Sequence, residues 1–396
     1  MADETLANKK PAPEMDERGL PDLPFLILTV LLVIIGLIML FSASYPRAYA
    51  DTGKSAYFFV RQGGFAAAGL LAMWLISRLN YQIWRALSFP ILAVAIFLLI
   101  LVPIFGVEVN DAKRWLNLGF TQFQPSEIAK IGVVLTFAAL MSSWKDRMKN
   151  PRYGVFPFLP VLGIVAFLLY LEPHLSATLI IVLTGGIMMY LGGTEKKWLL
   201  LLGLLGLGLI GIYLATKGYS SARIEAWLHP EDYPQTGGYQ VIQSQYAIGS
   251  GGLTGLGLGK SRQKYLYLPE EHNDYIFSIV CEELGLIGAV LILILFLLLI
   301  LRGYWLSMHA RDRFGALVVS GLVTLLGLQV FLNVGVVSNL LPSTGISLPF
   351  FSYGGTALLV NLAQMGIILG VSRQNTNHMV VKRKAKKSVK SGGQRA

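Results

Sequence analysis

Asp274 stands at the edge of a long apolar run, in LPEEHNDYIF at 268–277, with Glu270 and Glu271 just ahead of it. An ionisable group beside hydrocarbon is costly, roughly 2.5–3.5 kcal/mol at mid-bilayer and less at the edge, so such a carboxylate cluster calls for a function. A carboxylate at that place can serve in acid–base chemistry. It can also simply cap the helix, because Asp is a favoured N-cap residue. Residue type alone leaves both readings open. Ser278, Cys281 and Gly285 continue the face of Asp274 at helical spacing, and Glu282 borders it. Glu270 and Glu271 are expected to be solvated, and the lone Cys281 to pack in the core.

A second group lies upstream, in NDAKRWLNLG at 110–119 and QPSEIAK at 124–130. Arg114 suits bidentate contact with phosphate oxygens, and Lys130 suits a point charge. Pro125 and Glu127 fit the first turn of a helix. Lys130 then either pairs with Glu127 at i,i+3 or points with Arg114 into a polar cavity that holds an anion. Trp115 either stacks on a sugar ring or anchors the chain at the membrane interface. The glycine-rich stretch at 238–261 is no Walker A motif, because Thr254 stands where that motif needs its first glycine. Its glycines are expected to let irregular backbone fold tightly toward the membrane, with Gln240, Gln243 and Gln245 as polar groups that can meet a sugar. The five histidines are scattered and none is paired at ligand spacing, so no protein-built metal site is expected.

The elements that must position these groups are helices. The chain has 396 residues, 54% hydrophobic and 14% charged, with ten apolar runs at about 24–44, 57–77, 84–105, 126–142, 155–171, 175–192, 197–216, 275–301, 314–336 and 353–372. Runs of this length cross a bilayer as helices, and the class expected is an all-α polytopic membrane protein with ten transmembrane helices. Lys and Arg are concentrated in the two tails and the loops on their side, above all in VKRKAKKSVK at 381–390, which places both termini in the cytoplasm. The expected organisation is a cytoplasmic tail over 1–23, a single membrane domain over 24–372 and a basic cytoplasmic tail over 373–396. The first run reads as an uncleaved anchor. One large extracytoplasmic loop, 217–274, joins helices seven and eight, and a smaller one covers 106–125. The net charge of +11 suits anionic membrane lipids; no folded basic domain points to nucleic acid. The uncharged stretch 339–361, with Pro342, Gly345, Pro349, Gly354 and Gly355, cannot be one regular helix and reads as a re-entrant turn packed in protein.

Together, NDAKRWLNLG, QPSEIAK, GYQVIQSQYAIGSGGLTGLGLG, LPEEHNDYIFSIVCEELGLIG and LPFFSYGG resemble the SEDS family of FtsW, RodA and SpoVE proteins, in the same order and across the first run to the tenth. The resemblance implies a membrane glycosyltransferase in the bacterial cytoplasmic membrane. Its substrate would be lipid II, an undecaprenyl-pyrophosphate disaccharide peptide, polymerised into glycan strands at the outer face. The implied partners are a class B penicillin-binding protein, a transpeptidase, and other proteins of the division or elongation complex. The resemblance makes Asp274 the essential carboxylate and places Arg114, Lys130 and Trp115 on the substrate; Glu127, Gln243 and Ser278 join them as candidate contacts. A divalent cation, magnesium or manganese, could assist the pyrophosphate, though no residue pattern demands it. Two departures stand out: Asn273-Asp274-Tyr275 where Thr-Asp-Phe is usual, and Glu172-Pro173-His174-Leu175 where Gln-Pro-Asp-Leu is usual. TGISLPFFSYGG at 344–355 is similar to the division or sporulation branch. The rival readings are an elongation-type polymerase, a flippase that carries lipid II across the bilayer, and a non-catalytic scaffold.

Overall fold

The computed structural model describes residues 19–109, 112–117, 119, 121–216, 225–235 and 237–374. Every one of the ten apolar runs forms a helix: α1 Leu23–Thr52, α2 Tyr57–Ser77, α3 Gln82–Phe105, α4 Pro125–Trp144, α5 Phe158–Leu171, α6 Leu175–Leu191, α7 Lys196–Thr216, α8 Ile276–Met308, α9 Arg313–Val337 and α10 Gly355–Ser372. Eight segments among the described residues are long and apolar enough to cross a membrane, and α6 is a shorter apolar helix of 17 residues. The chain is an all-α polytopic membrane protein. The fifth and sixth runs, separated in sequence only by Glu172, Pro173 and His174, are indeed two helices.

Burial separates two kinds of helix. The most apolar window of the segment containing α4 is 83% buried and those of α9 and α10 are 78% buried, so these helices are surrounded by protein. The windows of α1, α2, α3 and α8 are only 22–39% buried, with Leu, Ile and Phe on the outside, as expected where lipid takes the place of a partner. Central α9 packs against α4, α6 and α8, while α2 lies along α10 and α1 spans α2 and α8.

Two loop structures are absent from the sequence reading. The 106–125 loop is a small antiparallel sheet of β1 Val107–Val109, β2 Ala112–Asn117 and β3 Gln122–Phe123, in the order β1-β2-β3. The large loop contains a helix, Gly237–Gly251, that packs on α8.

Beyond that helix the glycines do what their conformational freedom suggests. Helix α8 breaks at Gly285, whose φ of 65° and ψ of −173° leave the helical region. The carbonyls of Glu282 and Glu283 thereby lose the donors four residues on. Leu256 N–H and Gly257 N–H replace them at 3.0 Å each, and the freed N–H groups of Leu286 and Ile287 donate to Gly252 and Leu253 carbonyls at 2.9 and 3.1 Å. Loop and broken helix thus satisfy one another's backbone, the condition for irregular chain at such a place. Gly255 has a φ of 80° and sits against the Glu283 carbonyl, so no other residue fits there.

The adjoining side chains lock this arrangement. Glu282, expected to border the Asp274 stripe, instead accepts from Ser261 Oγ and, at 2.9 Å, from Arg262 N–H. Glu283 forms an ion pair with Lys264 at 2.7 Å in which both side chains are completely buried, and it accepts from Ser42 Oγ of α1 at 2.6 Å. The large loop is therefore tied to α8 and to α1.

Candidate active site at the mouth of α8

Helix α8 begins at Ile276, with Tyr275 in the N-cap position and no side-chain cap. Asp274 is not a helix cap. Its backbone is instead fixed by neighbours: Asn333 Nδ2 of α9 donates to Asp274 O at 2.8 Å and to Ile346 O at 2.6 Å. Ser352 Oγ donates to Asn273 O at 2.7 Å, and Tyr353 N–H donates to His272 O at 2.9 Å. Gln62 of α2 holds that turn from behind, donating to Ser352 O and accepting from Gly354 N–H. Of the uncharged stretch 339–361, residues 339–354 form a packed, irregular turn that holds the 272–274 backbone, whereas 355–361 are already the regular first turns of α10. Asn333→Leu leaves the buried Ile346 carbonyl and the part-buried Asp274 carbonyl without their donor; it is expected to cost about 1–3 kcal/mol, read as lowered stability in denaturant unfolding of the purified protein.

The held side chain faces a cavity of about 690 Å³, within the size range of small-molecule sites. Arg114 and Trp115 of β2 line it together with Asp274, joined by Glu270 and His174. The sheet in the 106–125 loop is what carries Arg114 and Trp115 to the site, and Arg114 Nη2 donates to Pro173 O at 2.5 Å. Helix α2 adds a second guanidinium, Arg61, together with Tyr57 and Phe58. Sequence reasoning passed over Arg61; its signal was an arginine near the start of an otherwise apolar run.

Three titrating groups at the cavity are shifted. Asp274 is pushed up to about 6, first by removal from water, then by the nearby negative charge of Glu270; Arg114 and His272 pull the other way. It is therefore ionised at neutral pH yet far more basic than an ordinary aspartate. Burial raises Glu172 to about 8 against the pull of Arg114. Burial, Arg114 and Lys130 lower His174 to about 3, so its imidazole is neutral.

Of the remaining predicted residues, Lys130, Glu127, Ser278 and Gln243 fall outside the cavity lining. Lys130 and Glu127 form the i,i+3 ion pair at 2.8 Å, buried at the foot of α4. Ser278 is buried and shares a 2.8 Å hydrogen bond with Ser244, which donates to Val337 O at 2.7 Å; the pair ties the loop helix to α8 and α9. Gln243 lies half-buried on the loop helix. Glu271, expected in solvent, is completely buried, with His272 Nδ1 at 3.6 Å from its Oε1; His272 stacks on Phe58. Glu270 is half-buried rather than solvated. Cys281 is buried, as expected.

A family described as “Cell cycle protein”, comprising FtsW, RodA and SpoVE, matches residues 23–377. The chain belongs to this family. Within the FtsW/RodA/SpoVE family, the stage V sporulation protein E of Bacillus subtilis is 42% identical over 89% of this chain and 97% of its own length. A probable peptidoglycan glycosyltransferase FtsW of Geobacter sulfurreducens is 39% identical over 89% of this chain and 95% of that protein. Among solved structures, a chain of a peptidoglycan synthase complex, studied for its coordination of polymerization and crosslinking, superimposes with a TM-score of 0.75 at 30% identity, covering 89% of this chain and 98% of that one. The rod shape determining protein RodA of Thermus thermophilus gives a TM-score of 0.67 at 28% identity, covering 90% and 98%.

Proposed function

We propose that the chain is a peptidoglycan glycosyltransferase that polymerises lipid II into glycan strands at the outer face of the bacterial cytoplasmic membrane during cell division. The observation that carries this reading is that Asp274 and Arg114 line one cavity. The relatives named FtsW and the likeness to a chain of a peptidoglycan synthase complex support it. A class B penicillin-binding protein is the proposed partner, both termini lie in the cytoplasm, and residues 24–372 form the membrane domain.

Asp274 is the general base. A sugar hydroxyl attacks the anomeric carbon of the donor, its proton passes to the Asp274 carboxylate, and the bond to the lipid pyrophosphate breaks with the electron pair leaving on phosphate oxygen. Attack opposite the leaving group inverts the configuration at that carbon, as in inverting glycosidases. Arg114, in the cavity, offsets the charge developing on pyrophosphate, the kind of preorganised stabilisation that a fixed guanidinium supplies. Trp115 offers a ring face to a sugar. Lys130, neutralised in part by Glu127, adds positive potential from beneath the cavity. A magnesium or manganese ion would enter with the pyrophosphate, whose oxygens supply ligands to it.

The test is conversion of purified lipid II to glycan polymer by detergent-purified protein together with its partner. The polymerase reading expects chains longer than the starting disaccharide. A flippase expects transport across vesicles and no chains, and a scaffold expects neither.

A further inference from the structure

Between α5 and α6 lies a turn that the reaction as described does not use. Glu172 in that turn is 1% exposed, and neither of its carboxyl oxygens has a hydrogen-bond partner among the described residues. The next residue, Pro173, offers its carbonyl to Arg114 at 2.5 Å. His174 follows, lines the cavity, and lies 3.3 Å from Gln124 Nε2 through its own Nε2. A buried carboxyl group without donors cannot hold its charge cheaply. That carboxyl group stands one residue before the carbonyl that accepts from the Arg114 guanidinium.

We propose that Glu172 is a positioning residue for Arg114: as a neutral acid it leaves the guanidinium to the cavity and its pyrophosphate, and as a carboxylate it competes for that same cation. The inference rests on the polymerase reading for the identity of the anion. Arg114 of β2 acts on Glu172, and Arg114 with Lys130 of α4 acts on His174, which stays neutral. Lys130 is matched by Glu127. Across the cavity, Asp274 feels Arg114, Glu270 and His272. The positive charge of Arg114 thus acts on both carboxyl groups. Burial raises the Glu172 carboxyl to about 8, so its proton is present at neutral pH and is lost as the pH rises through that value. A new negative charge on a buried residue next to the carbonyl that holds Arg114 is felt by that cation more strongly than it would be in water.

The consequence is a two-sided pH profile. Its acid limb belongs to the base, Asp274, and its alkaline limb to Glu172. The experiment compares wild type with Glu172→Gln, whose amide is the isostere of the neutral acid. Two readouts are taken between about pH 5 and about pH 9.5: kcat/KM for lipid II polymerisation with the partner present, and affinity of the purified protein for inorganic pyrophosphate. In wild type, activity and pyrophosphate affinity are expected to fall on the alkaline side, on the order of tenfold. In Glu172→Gln the alkaline fall is expected to vanish while the acid limb stays in place. An alkaline limb at the same pH in both proteins overturns the inference, as does loss of pyrophosphate affinity in Glu172→Gln at every pH. Should the wild type form no polymer at any pH, the polymerase reading fails, while the pyrophosphate comparison still decides the role of Glu172.

Discussion

Asp274→Asn is expected to lower the rate of glycan polymerisation by about 10²–10⁴, the range that a positioned general base contributes, with lipid II still bound. The amide matches the carboxylate in size and cannot accept the hydroxyl proton. The backbone of residue 274 is held by Asn333 through its carbonyl, and the neighbouring 272 and 273 carbonyls are held by the 352–353 turn, so the substitution leaves those anchors intact. The same account fixes the pH dependence. The Asp274 carboxyl is raised to about 6, and the base form is the ionised one, so polymerisation by wild type is expected to rise with pH through that value and to be lost below it. Initial rates of chain formation from lipid II at matched substrate occupancy, across that interval, provide the check.

Lys264→Met is expected to destabilise the protein by about 3–5 kcal/mol, the usual cost of removing one partner from a buried ion pair. Both side chains of the Lys264–Glu283 pair are fully buried. The methionine leaves Glu283 with Ser42 Oγ and Ser261 N–H as donors but no counter-charge. Because the pair joins the large loop to α8 next to the break at Gly285, its loss frees the loop that leads to Asp274. A drop in the thermal midpoint of the purified protein is the readout. Glu283→Leu added to Lys264→Met is expected to recover part of the loss, since an apolar pair removes the orphaned charge while leaving Ser42 and Ser261 without their acceptor.

The helices were legible because each is an apolar run of spanning length, and the only interruption between α5 and α6, Glu172-Pro173-His174, marks a real break. The β-sheet was not legible. Its strands are two to six residues long, too short for alternation to stand out, and their value lies in carrying Arg114 and Trp115 to the cavity. At the site, Asp274 is conspicuous as a charge at the edge of an apolar run and Arg114 as an arginine in a polar loop, but it is the family resemblance, not residue type, that favours a catalytic role for Asp274 over a cap. The cap reading of Asp274 failed because capping depends on where the helix starts, and α8 starts at Ile276. Glu271 looks like a solvated loop charge in sequence, and nothing in the sequence singles out Lys264. Only the folded chain shows that one is buried beside His272 and the other lies against Glu283. The expected solvation of Glu271 failed for that reason: a loop charge is exposed only if the loop is, and this one is packed under α2 and the 352–354 turn.

The most direct test of the central claim is a cryo-electron microscopy structure of the Asp274→Asn protein with lipid II bound. The account predicts a sugar hydroxyl within hydrogen-bond reach of the residue 274 side chain, roughly 2.6–3.2 Å, and the pyrophosphate on Arg114. A headgroup seated elsewhere, such as beside Tyr45 and Tyr265, with the cavity at Asp274 untouched, would contradict it.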